Sequence, residues 1–143
     1  MHVPVWQPLP LTTDTVDAKP AALWTRVHDY VAGPVKLKIS AAGEWTTAPQ
    51  TPCGPAGAHV AGFPSANGLD ERALRGALIG KVGGSASEKP ATDAFTFVAG
   101  EFAIVVLGDK VEGALYLTMN DEVAAFKEHG GSVTVAIEVA RSA

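Results

Sequence analysis

The hydrophobic positions of this chain recur mostly at every second residue. Val35, Leu37 and Ile39 alternate with Lys36, Lys38 and Ser40. Leu115, Leu117 and Met119 alternate with Tyr116 and Thr118, and Val133, Val135, Ile137 and Val139 alternate with Thr134, Ala136 and Glu138. A period of two puts successive side chains on opposite faces of a pleated strand, so these runs predict strands with one buried and one solvated face. Shorter apolar runs at 5–11, 23–27, 74–82, 95–98 and 102–107 are further strand candidates. Pro8 and Pro10 suit an edge strand or a bulge, because proline donates no ladder hydrogen bond. The runs at 115–121 and 130–139 are expected to face each other across a short loop.

Turn residues separate the runs: Ala32-Gly33-Pro34, Gly83-Gly84-Ser85, Leu107-Gly108-Asp109 and Gly130-Gly131. Many short strands at this spacing predict an all-β fold, a two-sheet antiparallel β-sandwich. The segment 69–75 has room for one or two helical turns ahead of a strand. Residues 47–68 are irregular, with four prolines and no periodicity. A loop of that length inside a compact domain usually serves a function or is disordered, which makes it a candidate wall of a binding site.

Composition narrows the function. The 143 residues fit one domain, 1–143, with one sizeable core. Hydrophobic residues make up 47% and charged residues 18%, a globular balance. The net charge of −4, with scattered lysines and arginines, argues against nucleic acid as a partner and against an anionic membrane surface. No apolar run reaches membrane-spanning length, so no membrane insertion is expected. The lone cysteine, Cys53, precludes an intrachain disulfide and paired-cysteine zinc sites, and lies in a Pro-Cys-Gly-Pro context that reads as an inert buried thiol. The N-terminus lacks the basic start, apolar core and cleavage site of a signal peptide, which gives a cytoplasmic or leaderless secreted protein as the expectation. Phosphate-cradling loops, Gly-x-Ser-x-Gly elbows and His-Glu-x-x-His helices are missing, and no enzyme class is indicated.

The loop 120–131 carries the most chemistry. It opens on Asn120-Asp121 at the end of a strand and closes on Glu128-His129 before two glycines. Carboxylates, amides and carbonyls from one loop can ring a hard cation such as calcium. The plainer reading of Asn120-Asp121 is a turn begun by side-chain-to-backbone hydrogen bonds.

Several segments, in order, resemble the bacterial galactose-binding lectin family of the LecA (PA-IL) type. They are Val35-Lys-Leu-Lys-Ile-Ser-Ala-Ala-Gly43 with its Ala-Ala-Gly turn, then Trp45, Pro49 and Gly54-Pro55, then Gly76-Ala-Leu-Ile-Gly-Lys-Val-Gly83, and finally Gly113-Ala-Leu-Tyr-Leu-Thr-Met-Asn-Asp121 and Gly131-Ser-Val-Thr-Val-Ala-Ile137. The resemblance implies a jelly-roll-like, galactose-binding-domain-like sandwich that binds a carbohydrate ligand through calcium. It places metal ligands at Thr47 and Ala125, through their carbonyls, and at Asp121, Glu128 and His129. Ligand contacts fall on Asp121, Asn120 and Glu128, with Asn67 and Phe63 from the long loop. His129 departs from the family pattern, since imidazole suits zinc, copper or nickel rather than calcium. The loop's middle, Glu122-Val-Ala-Ala-Phe126, also lacks the expected glycine or proline.

Three readings stand at this point. The first is a non-catalytic, calcium-dependent lectin. The second is the same fold with a degenerate metal site, serving as an interaction or structural module with an apolar patch at Phe63 or Phe126, possible also as a homo-oligomer contact. The third is a transition-metal site of Asp121, Glu128 and His129, joined by His59. Two loop carboxylates are too few and too close for glycoside hydrolysis.

Overall fold

A computed structural model of the chain describes residues 5–47, 51–58, 68–70, 72–87 and 94–141. The described strands are, in chain order, β1 (Gln7–Pro8), β2 (Thr15–Asp17), β3 (Thr25–Ala32), β4 (Val35–Thr47), β5 (Thr51–Cys53), β6 (Leu78–Val82), β7 (Phe95–Val98), β8 (Phe102–Leu107), β9 (Glu112–Met119) and β10 (Gly130–Arg141). A 3₁₀ helix at Val123–Glu128 joins β9 to β10.

All pairing is antiparallel, in two sheets. In the larger, β10 lies along β4 from Gly130 opposite Thr46 to Arg141 opposite Val35. Short β1 and β2 flank β10, while β8 and β5 flank the other side of β4. The smaller sheet has the order β3-β9-β6-β7. The alternation seen in the sequence becomes the contact between them: Leu37 and Ile39 of β4, Val133, Val135 and Ile137 of β10, and Val105 and Leu107 of β8 join Val27, Leu78, Phe97, Leu115, Leu117 and Met119 of the smaller sheet in one apolar cluster. The expected antiparallel sandwich is therefore the observed architecture.

Three expectations are corrected. The runs at 115–121 and 130–139 do not pair; β9 and β10 belong to opposite sheets, and the 3₁₀ helix carries the chain across the sandwich. β9 also has no solvated face over residues 115–119. Tyr116 points to a second cluster with Trp24, Leu69, Ala73, Ala77, Ile79 and Phe126, which roofs the outer side of the smaller sheet. On that side the Thr118 hydroxyl donates to Leu23 O at 2.8 Å, and Lys81, fully buried, donates to Ser85 O at 2.6 Å. The Lys81 ammonium lies 4.8 Å from the Trp24 ring centroid, an attractive placement for a cation over an aromatic face. Lastly, the described part of 69–75 makes turns and bends rather than helix.

One pole of the sandwich is tied together by Gly76. The Trp45 indole of β4 donates to Gly76 O at 2.9 Å, and Gly76 N–H donates to the carbonyl of Asn120, just past β9, at 2.7 Å. Both sheets and the 68–77 roof therefore meet where the loop after β9 begins.

Candidate functional site

Asn120 and Asp121 follow β9 and still alternate as strand residues do, so their side chains diverge. Asn120 is fully buried in the roof. Its Oδ1 accepts from Asp70 N–H at 2.9 Å, and its Nδ2 donates to Asp70 O, Ala73 O and Leu74 O at 2.9, 3.0 and 3.2 Å. The expected ligand contact by Asn120 is corrected accordingly: its side chain clamps the 68–77 segment and has no face open to solvent.

Asp121 turns the other way and is 1% exposed. Its Oδ2 meets His129 Nε2 at 2.9 Å. Its Oδ1 accepts from Glu122 N–H at 2.8 Å and pairs with Arg75 Nε at 3.0 Å. His129 Nδ1 in turn lies 2.7 Å from Ala18 O. Both ring nitrogens thus face acceptors, and both contacts are hydrogen bonds only when both nitrogens carry a proton, that is, as imidazolium. Arg75 also reaches Glu122, Nη2 to Oε1 at 3.7 Å, with the Glu122 side chain 41% exposed at the rim. The cluster therefore sets two carboxylates, Asp121 and Glu122, against the Arg75 guanidinium, with the His129 ring as a further partner of Asp121.

The other expected site residues scatter around this centre. Thr47 is buried at the end of β4, its methyl against Gly76. Ala125 lies inside the 3₁₀ helix and donates its N–H to Glu122 O at 3.0 Å. Glu128 is exposed, and the residue turned inward at the end of that helix is His129 instead. The Phe126 ring packs 4.5 Å from the His129 ring and is 8% exposed, so it forms no open apolar patch. Asn67, Phe63 and His59 lie outside the described residues.

Calcium takes six to eight oxygen ligands at roughly 2.3–2.6 Å. As they stand, the described residues do not fit that ion: both oxygens of Asp121 are engaged by cationic or N–H groups, and Glu128 faces solvent. Among the described residues no three His, Cys, Asp or Glu side chains converge as a metal site.

Beside the cluster, Asp70 is buried and receives Arg72 Nε at 2.9 Å, Nη2 at 2.7 Å and the Arg72 N–H at 2.9 Å. Burial pushes this carboxyl up, but the Arg72 hydrogen bonds and charge together outweigh it and hold Asp70 below the usual carboxylate range. Burial likewise pushes the Cys53 thiol up, only partly offset by its contact with Trp45, as an inert thiol requires.

Arg75, Glu122 and the carbonyl of Ala18 were not visible as site residues from the sequence. Arg75 lies 46 positions before Asp121 in a segment read as helical, and no spacing rule links them. The 3.6- and 2-residue periods report on local faces, not on which distant loop closes over a strand end.

The described helix is not long and apolar enough to cross a membrane. No protein-family model matches the chain, and no curated protein matches it. Among solved structures it is similar to one described as the EclA N-terminal domain, a PllA-like lectin, with a TM-score of 0.57 and 19% identity over 97% of this chain and 98% of that one. At that identity the likeness shows the fold alone, a two-sheet antiparallel β-sandwich shared with that domain.

Proposed function

We propose that this chain is a non-catalytic carbohydrate-binding module of lectin type, binding at the pole where Asp121, Arg75 and Glu122 meet. The observation that carries this reading is the Arg75–Glu122 pair at the rim, backed by buried Asp121. A vicinal diol needs one group that donates to a hydroxyl oxygen and one that accepts a hydroxyl proton, held at a fixed separation. A guanidinium beside a carboxylate supplies both, with geometry fixed by the partners behind it. In this arrangement the positive charge beside Asp121 comes from Arg75, and sugar binding needs no calcium. Galactosides are the first ligand class to test, on the strength of the sequence resemblance and the fold.

A glycan array probed in chelator tests this, with Glu122→Ala as the control. Glu122 is half-exposed, so its truncation leaves the fold intact. Binding of a galactoside or related sugar, weakened at least tenfold in the variant, is the expected result. An array without a ligand, or a variant that binds as well as the parent, would instead favour the second reading, the same fold serving as an interaction module. That reading draws support from the same saturation of Asp121.

A further inference from the structure

Among the described residues, β8 is an open edge without the usual protection. Among the described residues it pairs only with β4, Val35 opposite Leu107 through Ser40 opposite Phe102. Its sequence, Phe-Ala-Ile-Val-Val-Leu, contains no charge, proline or glycine. Other edges differ: β1 and β5 are short and contain Pro8 and Pro52, β2 has three residues and ends on Asp17, β3 carries Arg26, His28 and Asp29, and the Thr96 carbonyl of four-residue β7 accepts from Arg72 Nη2. Unpaired N–H and C=O groups on a flat apolar edge recruit another strand unless something covers them.

Alternation makes the β8 edge sharper. Val105 and Leu107 point into the core, whereas Phe102, Ile104 and Val106 point outward and are 58%, 51% and 61% exposed. An outward stripe of three large apolar side chains on an edge strand combines open backbone with open hydrophobic surface.

We infer that β8 pairs antiparallel with β8 of a second copy, about a two-fold axis through Ile104, joining two six-stranded sheets into one. The case for a second copy is self-complementarity, which a two-fold interface demands. With Ile104 opposite its own counterpart, Phe102 faces Val106 of the partner and the reverse pair follows by symmetry. Sliding the register by two residues in either direction leaves part of the stripe without an apolar counterpart. In the symmetric register Glu101 falls opposite Leu107, and no like charges oppose each other along the strand. Directly opposed apolar pairs on one face are the stabilising unit of such a ladder. The interface is modest in area, which places it in the weak, concentration-dependent class. Its consequence is two binding poles per assembly, and hence avidity for a multivalent surface. The strand pairing does not depend on the sugar reading; only the avidity rests on it.

Sedimentation velocity from micromolar to near-millimolar protein tests it, together with cysteine cross-linking. The parent should pass from monomer to dimer over that range, and Ile104→Lys, which alters only an outward side chain, should stay monomeric with an unchanged melting temperature. Directly opposed residues have Cα atoms about 4.5–5.5 Å apart, within disulfide reach. Ile104→Cys should therefore cross-link to itself under mild oxidation. Phe102→Cys alone should not, and Phe102→Cys combined with Val106→Cys should. A parent monomeric throughout, a dimer indifferent to Ile104→Lys, or Phe102→Cys cross-linking as well as Ile104→Cys would overturn the inference.

Discussion

His129 Nε2 and Asp121 Oδ2 meet at 2.9 Å across the 3₁₀ helix, with both side chains almost fully removed from solvent. The pair closes the loop between the two sheets, and Ala18 O holds the far side of the ring. In the sequence these two residues looked like candidate ligands to one ion. In the structure they are each other's partners. The other oxygen of the same carboxylate lies 3.0 Å from Arg75 Nε, so a buried carboxylate at a strand end has a side-chain cation beside it.

Asp121→Ala is expected to destabilise the fold by about 3 kcal/mol, because it leaves buried His129 Nε2, Arg75 Nε and the Glu122 N–H without their carboxylate partner. Arg75 keeps some access to water and contributes less to that loss. Urea denaturation measures this. A change below about 1 kcal/mol, the scale of an exposed pair, would show that the cluster is not structurally coupled.

Asn120→Ala should cost about as much through a different mechanism. It strips the Asn120 partner from the Asp70 N–H and the Ala73 carbonyl, while the Asp70 and Leu74 carbonyls keep the N–H groups of Ala73 and Ala77, and each unsatisfied buried group costs about 1–3 kcal/mol. The loss should localise: hydrogen exchange should rise first in 68–77 while β4 and β10 stay protected. Uniform exchange across both sheets would contradict the assignment of Asn120 as a local clamp.

Gly76→Ala should cost roughly 2–3 kcal/mol, from an added Cβ at positive φ and from overpacking. Gly76 has φ 87°, and a Cβ there would lie 2.6 Å from Cys53 Sγ and 2.7 Å from Thr47 Cγ2. The melting temperature of the variant checks it; an unchanged value would mean that this pole repacks freely.

The Asp70–Arg72 pair gives a pH dependence of definite sign. A carboxyl held below its usual range in the folded state contributes stability that is complete above about pH 4 and is lost as pH falls through the folded value. Without Arg72, burial is left as the dominant effect, and the carboxyl rises. Arg72→Ala should therefore melt lower than the parent at neutral pH and show a flatter acid limb, the two curves converging as pH falls through the folded value. The difference will be modest, since the Arg72 side chain is 61% exposed. Superimposable acid limbs would count against the pairing.

The strands were legible because alternation reports directly on burial. β7 and β8 run as the sequence predicts, residue for residue, and β4 and β10 only extend further at their ends. β2 was missed because three residues with a single buried valine carry no period. The covered outer face of β9 was missed because Tyr116 and Thr118 read as solvent-facing; only the roof of Trp24 and 68–77 buries them. In the candidate site, Asp121 and His129 stood out in the sequence as candidate metal ligands of one loop, and the structure brings their side chains to 2.9 Å of each other. Arg75, which decides what that centre is, comes from a distant turn and leaves no local signature.

Thermal melting in millimolar calcium against excess chelator tests most directly whether Asp121 is held by Arg75 and His129 or by an ion. An ion that binds only the folded state at a hundred times its dissociation constant adds about 2.7 kcal/mol, several degrees for a chain of this size. The two melting temperatures are predicted to coincide. A rise of several degrees with calcium, reversed by chelator, would contradict the account and restore an ion to the pole of the sandwich.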